Sequence, residues 1–485
     1  MEWFGAPDYW LSRFLFERAL GTIYLIAFLV ARNQFRPLLG ERGLLPAPRF
    51  LAVVRFREAP SLFHLRYSDR LLGAVTWVGM ALAVSVIVGL PQSGPLWVPM
   101  IVWLTLWALY VSIISIGQTF YAFGWESLLC ETGALAVLLG SSDTVPPILV
   151  VFMVRWLLFR VEFGAGLIKL RGDRCWRDLT CLHYHHETQP IPNPLSRLFH
   201  LLPARLHKAE VLANHGAQLV VPFLLFTPQP VASIAGVLIV VTQVWLICSG
   251  NFSWLNVITM TLAIFAFSDS TLALVLPVDT PPLSPGPRWY DAFVIAVAAL
   301  VALLSYWPVR NLISRGQRMN YSFNRLHFVG SYGAFGHVTK ERYEVIVEGT
   351  DEPRLTPTTK WKEYEFKGKP GDPRRRSRQI APYHLRLDWL MWFAALGTPD
   401  QHRWFERFVM RLLENDPATL KLIRHNPFRE RPPTYVRARL FRYRFTTRAE
   451  RRDTGARWVR APVSNYLRPR RHPDSSIPSA SRPAV

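Results

Sequence analysis

The chain has 485 residues, of which 50% are hydrophobic and 13% aromatic, and it carries a formal net charge of +22. Its 18 Trp and 30 Phe exclude a disordered or collagen-like chain, because side chains of this kind need a core or a bilayer that buries them. Four cysteines are too few for a scaffold built on disulfides. Apolar runs as long as Leu71–Leu90 indicate a membrane protein instead.

Apolar runs recur through the first 307 residues and predict membrane helices. They lie at Phe14–Val30, Leu71–Leu90, Leu96–Ile116, Leu128–Gly140, Ile148–Leu170, Val211–Phe226, Val231–Cys248, Trp254–Phe267 and Ala292–Trp307. We expect a polytopic α-helical membrane protein with about eight hydrophobic helices, since the runs lack the alternation of a membrane barrel. The first twelve residues lack the features of a cleaved signal peptide, so we expect the first run to remain as an anchor.

Charge is distributed unevenly along the chain. Residues 316–485 contain 34 Lys and Arg against 17 Asp and Glu, a net charge of +17, whereas the first 315 residues carry only +5. A basic region can bind nucleic acid by neutralising phosphates. Here the basic region follows a membrane domain, which favours a solvated or lipid-headgroup-facing surface over nucleic-acid binding. We therefore expect the lipid bilayer, and no nucleic acid, as a partner.

The composition becomes polar after residue 308 and predicts a mixed domain. Strand-like alternation and helical spacing occur at Tyr343–Glu348, Tyr364–Phe366, Leu385–Ala395, Trp404–Leu413 and Val436–Phe445. The sequence predicts a helical membrane domain over residues 1–315 and a C-terminal α+β extramembrane domain over 316–460. It also predicts a disordered basic tail over 461–485.

Three charged residues within the run Ile148–Leu170 are the candidate catalytic group. Arg155, Glu162 and Lys169 are spaced by seven residues, which places them on one face of a helix. Charges within membrane helices are costly and mark functional sites. One interpretation is a buried polar site in which a desolvated Lys169 acts as a base. The alternative is an interior network of ion pairs that fixes helix packing.

The segment 171–210 is rich in cysteine and histidine. Cys175 and Cys181 can form a disulfide if the loop lies outside the cytoplasm. Free thiols and a zinc site are the alternatives, with His183, His185 and His186 as weak candidate ligands. The spacing fits no standard structural zinc pattern, so we predict no metal.

Motifs for bound cofactors and common hydrolases are absent from the sequence. We find no P-loop, no nucleophile elbow, no H-E-x-x-H motif and no Rossmann fingerprint in its required context. The glycine-rich stretch Gly330–Gly336 follows no strand of the required kind and is interpreted as a turn-rich entry into the C-terminal domain. We expect no cofactor.

Long strings of the sequence resemble one known family. They are Asn33–Leu44, Gly124–Glu126, Gly172–Cys181, Glu187–Pro190, Gly250–Phe252, Ala381–His384, Arg386–Phe393 and His425–Phe428. Together they resemble the lipase maturation factor family from Asn33 to Tyr435. The resemblance implies a membrane maturation factor or chaperone for the folding and assembly of exported lipase-like proteins. It also implies that the Cys175–Cys181 loop and the C-terminal domain lie on the exoplasmic side.

The same resemblance suggests a location and a client, and aromatic residues suggest a client-binding surface. It implies the endoplasmic reticulum membrane in a eukaryote and the plasma membrane in a bacterium, with secreted lipase-like proteins as partners. Trp389, Trp392, Phe393 and Trp404 are candidate client-binding residues, because exposed apolar patches mark interaction sites. The alternative is that these aromatic residues form the core of the domain itself.

A shorter similarity suggests an enzyme. Gly164–Leu170 followed by Trp176 is similar to a stretch of vitamin K-dependent carboxylases, in which the matching lysine is the catalytic base. It would assign that role to Lys169 alone. We predict that the chain is not an enzyme, with a membrane enzyme using Lys169 as the alternative.

Overall fold

A computed structural model describes residues 2–472, with a helical region followed by a mixed one. The longer helices of the first region are α1 (Trp10–Leu39), α2 (Asp69–Val88), α3 (Trp97–Ser115), α4 (Gly124–Ala136), α5 (Ile148–Arg171), α6 (Leu182–Thr188), α7 (Ala204–Leu219), α8 (Val231–Ser249), α9 (Leu255–Ala263), α10 (Arg288–Leu304) and α11 (Tyr306–Ile313). Short helices connect them at Ala47–Leu51, Arg174–Arg177, Ser196–His200, Val221–Leu224 and Asp269–Leu272. We call residues 2–313 the helical domain.

The limits of α2 show how the sequence sets a helix. Ser68 precedes it, and its hydroxyl accepts a hydrogen bond from the Leu71 amide at 3.1 Å. Asp69 in the first turn complements the positive end of the helix dipole. Gly89 ends the helix in the left-handed conformation, with φ of 83°, which glycine adopts without steric cost.

Within residues 2–472, five helical segments are long and apolar enough to cross a membrane. They are Pro7–Leu39, Asp69–Val88, Trp97–Ser115, Val231–Ser249 and Arg288–Ile313. The other four predicted runs differ in length, continuity or charge. Leu128–Gly140 lies largely in the 13-residue α4, and Trp254–Phe267 lies largely in the 9-residue α9. Val211–Phe226 is divided between α7 and the short helix Val221–Leu224, and α5 has charged residues along its length. The architecture is that of a polytopic helical membrane protein.

The helical bundle has two ends, and the C-terminal domain covers one of them. At the open end, the Arg13 guanidinium donates to the Thr144 carbonyl at 2.7 Å and Asp269 accepts from the amide of Trp10 at 3.0 Å. At the covered end, where α1 finishes, the Gln34 amide donates to the His384 carbonyl at 2.6 Å. The loop after α6 reaches the same domain, since Arg197 donates to the Thr446 carbonyl at 2.7 Å.

The C-terminal domain, residues 321–472, combines an antiparallel sheet with two longer helices. Its elements are β1 (Tyr321–Ser322), β2 (Gly330–Ser331), β3 (Arg342–Thr350), β4 (Lys362–Glu363), α12 (Arg386–Ala394), α13 (Arg403–Leu413), β5 (Tyr435–Phe445) and β6 (Trp458–Arg471), with short helices at Pro417–Leu420 and Arg448–Thr454. β1 pairs with β2, and the main sheet has the order β4-β3-β5-β6. Its core is continuous with that of the helical bundle.

The predicted disordered tail is wrong in its first part. Residues 458–471 form β6, which pairs with β5 from Phe445 opposite Trp458 to Tyr435 opposite Arg471. Pro462 lacks the amide that an unbroken ladder needs, and the register shifts beside its partner Phe441. The backbone of β5 therefore stabilises a segment that is too polar to suggest a strand by its composition. Residues 473–485 of the predicted tail lie outside the described residues.

Candidate functional site

A cavity of about 880 Å³ lies where the helical domain meets the C-terminal domain. Side chains of α5, α7 and α8 form one wall, and Trp389, Trp392 and Phe393 of α12 form another. The lining is mostly apolar, with a few buried polar groups that include Glu162 and Lys169. A chamber of this size and composition is typical of a binding site for an apolar or amphipathic group.

The glycine-rich stretch lines this cavity and packs along α5. The backbone of Tyr332 approaches Gly164, and that of Gly336 approaches Gly172, so closely that neither glycine leaves room for a Cβ atom. Gly336 also accepts a hydrogen bond through its carbonyl from the Asp173 amide at 2.9 Å. The stretch is therefore a packing element against α5 as well as the entry into the C-terminal domain.

The three charged residues of α5 are all buried, but the structure does not bring them into one network. Arg155 lies away from the cavity and donates to the Phe265 carbonyl and to the Tyr9 hydroxyl, both at 2.8 Å. Glu162 and Lys169 both face the cavity. Among the described residues no ion pair joins any two of the three, so the alternative of an ion-pair network among these three side chains is not observed.

Neutral side chains satisfy the two charged groups in the cavity wall. The Glu162 carboxylate accepts from the Gln243 amide at 2.7 Å, and Gln243 in turn accepts from the Asn256 amide at 2.7 Å. The Lys169 ammonium donates to Gln218 at 2.7 Å and to Asn214 at 3.3 Å, and it lies 5.2 Å from the centre of the Trp176 ring. The arrangement can bind a polar group within an apolar chamber.

A disulfide joins Cys175 and Cys181, whose Cα atoms are 4.8 Å apart. The loop that contains it packs against the glycine-rich stretch, because the Trp176 indole donates to the Phe335 carbonyl at 2.8 Å. Asp173 accepts from the Val338 amide at 2.7 Å. The disulfide loop is thus attached to the same end of the bundle as the C-terminal domain.

Replacing both Cys175 and Cys181 with Ser should lower the free energy of unfolding by about 2 kcal/mol, because the bridge closes a short loop in the unfolded chain. We expect a lower thermal midpoint for the purified protein in detergent. The control is Cys248→Ser, which removes a free thiol. Maleimide labelling of the denatured protein without a reductant would contradict the assignment if it modified Cys175 and Cys181.

The three histidines after the disulfide lie in α6 and have different surroundings. His185 packs against Phe335 in the cavity wall, with ring centres 5.1 Å apart. Burial lowers the pKa of His185 to about 3, so its imidazole is neutral at physiological pH. His183 and His186 instead face α7, where both rings lie within 6 Å of the His207 ring.

Two of the four candidate client-binding residues are core residues. Trp389 is 4% exposed and packs with its ring centre 5.0 Å from that of Trp125. Trp404 is 2% exposed and contacts Phe120, with ring centres 5.9 Å apart. Both therefore attach the C-terminal domain to the helical domain, and the prediction that they form an exposed client surface is wrong.

The other two candidates are more accessible. Trp392 is half-buried, and its indole donates to the Thr188 carbonyl at 3.0 Å. Phe393 is 40% exposed. Both line the cavity. They remain candidate client-binding residues at the edge of the chamber.

Buried ion pairs hold the site together, and arginines are the partners that sequence reasoning favours for Glu126 and Glu131 without identifying them. Glu126 of α4 accepts from Arg386 of α12 at 2.8 Å, and Glu131 accepts from Arg160 of α5. The signal was present, since two carboxylates within an apolar run require basic partners. The partner of Glu126 belongs to the other domain, so no sequence spacing could identify it.

Comparisons with known proteins agree with this architecture. A family profile described as lipase maturation factor transmembrane domain matches residues 11–274, and one described as lipase maturation factor C-terminal domain matches residues 328–468. No solved structure matches the chain.

Named relatives cover nearly the whole chain. Lipase maturation factor 1 of Mus musculus is 41% identical over 96% of this chain and 88% of its own length. The Homo sapiens protein of that name is 41% identical over 95% of this chain and 88% of its own length. Lipase maturation factor 2 of Homo sapiens is 28% identical over 94% of this chain and 82% of its own length. This integral membrane protein therefore belongs to the lipase maturation factor family.

Proposed function

We propose that the chain is a membrane-embedded maturation factor that assists the folding and assembly of exported lipase-like proteins. The observation that carries this proposal is the 41% identity over 96% of the chain to a protein named lipase maturation factor 1. The similarity extends through both domains and across the cavity between them. A shared client-handling apparatus, rather than a shared membrane anchor alone, explains such an extent.

The proposal includes a location for the client-handling surface. The C-terminal domain and the disulfide loop lie at the same end of the bundle, where Glu187 accepts from the Phe445 amide at 2.6 Å. Disulfides persist in oxidising compartments. This supports an exoplasmic position for both, in the endoplasmic reticulum lumen of a eukaryote or on the outer side of a bacterial plasma membrane.

The edge of the cavity is the proposed client contact. Phe393 near the end of α12 and Leu396 just beyond it expose apolar surface, and Trp392 and Phe393 line the cavity. Partly folded proteins expose apolar side chains that bind such surfaces. Phe393 also packs against Phe123, with ring centres 6.4 Å apart. This packing holds Phe393 in place before a client binds.

Replacing Phe393 with Ser should weaken client capture by about tenfold, the effect of losing an aromatic anchor. The measurement is photocrosslinking in native membranes between the full-length chain and a co-expressed secreted lipase. The matched control is Leu274→Ser, which removes an apolar side chain that is 83% exposed at the open end of the bundle. Equal capture by the two variants would contradict the proposed contact surface.

A further inference from the structure

Three potential metal ligands meet between α6 and α7. They are His186 of α6 and His207 and Glu210 of α7, whose ligand atoms all lie within 4.8 Å of one another. His207 and Glu210 are three residues apart on one helix, so they project from the same face. His186 comes from the neighbouring helix and completes a set of two imidazoles and one carboxylate.

The distances suit a small transition-metal ion. Glu210 Oε1 lies 3.6 Å from His186 Nε2, and Glu210 Oε2 lies 3.5 Å from His207 Nδ1. In a tetrahedral zinc site with bonds of about 2.1 Å, neighbouring ligand atoms are about 3.4 Å apart. The third separation, between the two histidines, is at most 4.8 Å.

These ligand atoms are buried without a hydrogen-bond partner. Both ring nitrogens of His186, Nδ1 of His207 and Oε2 of Glu210 lack one among residues 2–472. The two histidines are each 2% exposed. Polar atoms left unpaired in a protein interior are costly, and an ion bound among these three side chains would satisfy them.

The surrounding groups orient the ligands as they do in known metal sites. His207 Nε2 lies 3.3 Å from the His200 carbonyl, which selects the tautomer that leaves Nδ1 free to bind a metal. The Trp245 indole donates to Glu210 Oε1 at 2.6 Å and leaves Oε2 free. The first contact leaves His207 Nδ1 free. The second holds Oε1, the oxygen nearer His186, and leaves free Oε2, the oxygen that lies 3.5 Å from His207 Nδ1.

We propose that His186, His207 and Glu210 bind a zinc ion that fastens α6 to α7. Two imidazoles and a carboxylate are ligands that zinc prefers, and they leave a fourth position for water or another group. His186 and Glu210 both line the cavity, so this position is next to the chamber. The ion would connect α6, which follows the disulfide loop, to Glu210 and through it to Trp245 of the membrane helix α8. This site does not depend on the proposed function.

The test uses the full-length protein without a histidine tag, purified in detergent and stripped of metal with a chelator. Zinc is titrated in competition with a chromophoric chelator, and bound metal is measured by mass spectrometry after gel filtration. We expect about one zinc ion per chain, and a loss of affinity of about 100-fold or more in His207→Ala and Glu210→Gln. Gln at position 210 can still accept from Trp245, so that variant keeps the local packing.

Two further measurements separate metal binding from misfolding. His337→Ala is the matched control, because His337 is an exposed histidine at the same end of the bundle, and it should bind zinc like the unchanged protein. Cobalt in place of zinc should give the intense visible absorption of a tetrahedral site, which Glu210→Gln should lose. Zinc binding that is absent, or that is equal in Glu210→Gln and His337→Ala, would overturn the proposal.

Discussion

Replacing Arg386 with Ala should prevent the protein from reaching a stable folded state. The guanidinium is completely buried, 2.8 Å from the Glu126 carboxylate, and it donates to the Phe120 carbonyl at 2.8 Å. It also lies 3.4 Å from the centre of the Tyr121 ring. The substitution leaves the Glu126 carboxylate buried without its cation, which costs about 3–5 kcal/mol. A loss of that size is a large part of the stability of a typical domain.

This prediction is measured by the monodisperse peak in size-exclusion chromatography and by the thermal midpoint in detergent. The matched control is Arg470→Ala, which breaks an exposed pair with Glu406 and should change stability by at most about 1 kcal/mol. The double substitution of Glu126 with Gln and Arg386 with Met should recover part of the loss, because no buried charge is left unpaired. Arg386→Ala behaving like Arg470→Ala would contradict the role of the pair in joining the two domains.

Replacing Gly164 with Ala should also destabilise the protein strongly. A Cβ atom at Gly164 would overlap the carbonyl oxygen of Tyr332, which is a backbone atom and cannot rotate away. The glycine-rich stretch would have to move off α5, and with it the wall of the cavity. Overpacking of this kind costs about 1–3 kcal/mol or more.

Gly216→Ala is the matched control for this substitution. Gly216 also lies within a helix, but a Cβ atom there would meet nothing within 4 Å. Alanine at position 216 should therefore leave stability unchanged or raise it by up to about 1 kcal/mol, owing to its higher helix propensity. Thermal midpoints that fall equally in the two variants would show that the close approach of Tyr332 to Gly164 does not occur.

Much of the fold could be predicted from the sequence, because it depends on local signals. Five of the nine predicted apolar runs coincide with the segments of residues 2–472 that are long and apolar enough to cross a membrane. The family resemblance, carried by strings such as Gly172–Cys181, is confirmed by the matched profiles. The predicted strand at Tyr343–Glu348 is confirmed, since it lies within β3.

The candidate site was less predictable, because long-range contacts decide it. The spacing of Glu162 and Lys169 correctly gave one helix face, but it could not show that neutral amides from α7 and α8 would satisfy them. Trp389 looked like a client contact only because its partner Trp125 lies in another domain. No sequence pattern indicates His207 as a ligand, since its contact with His186 requires α6 and α7 to pack together.

The most direct test of the central claim is the specific activity of exported lipases, measured per mass of lipase protein. The comparison is between cells of the source organism that lack the chain and the same cells with the chain restored. We predict that its loss leaves lipase protein synthesised but largely inactive, and that the unchanged chain restores activity whereas Arg386→Ala does not. Equal specific activity with and without the chain would contradict its role as a lipase maturation factor.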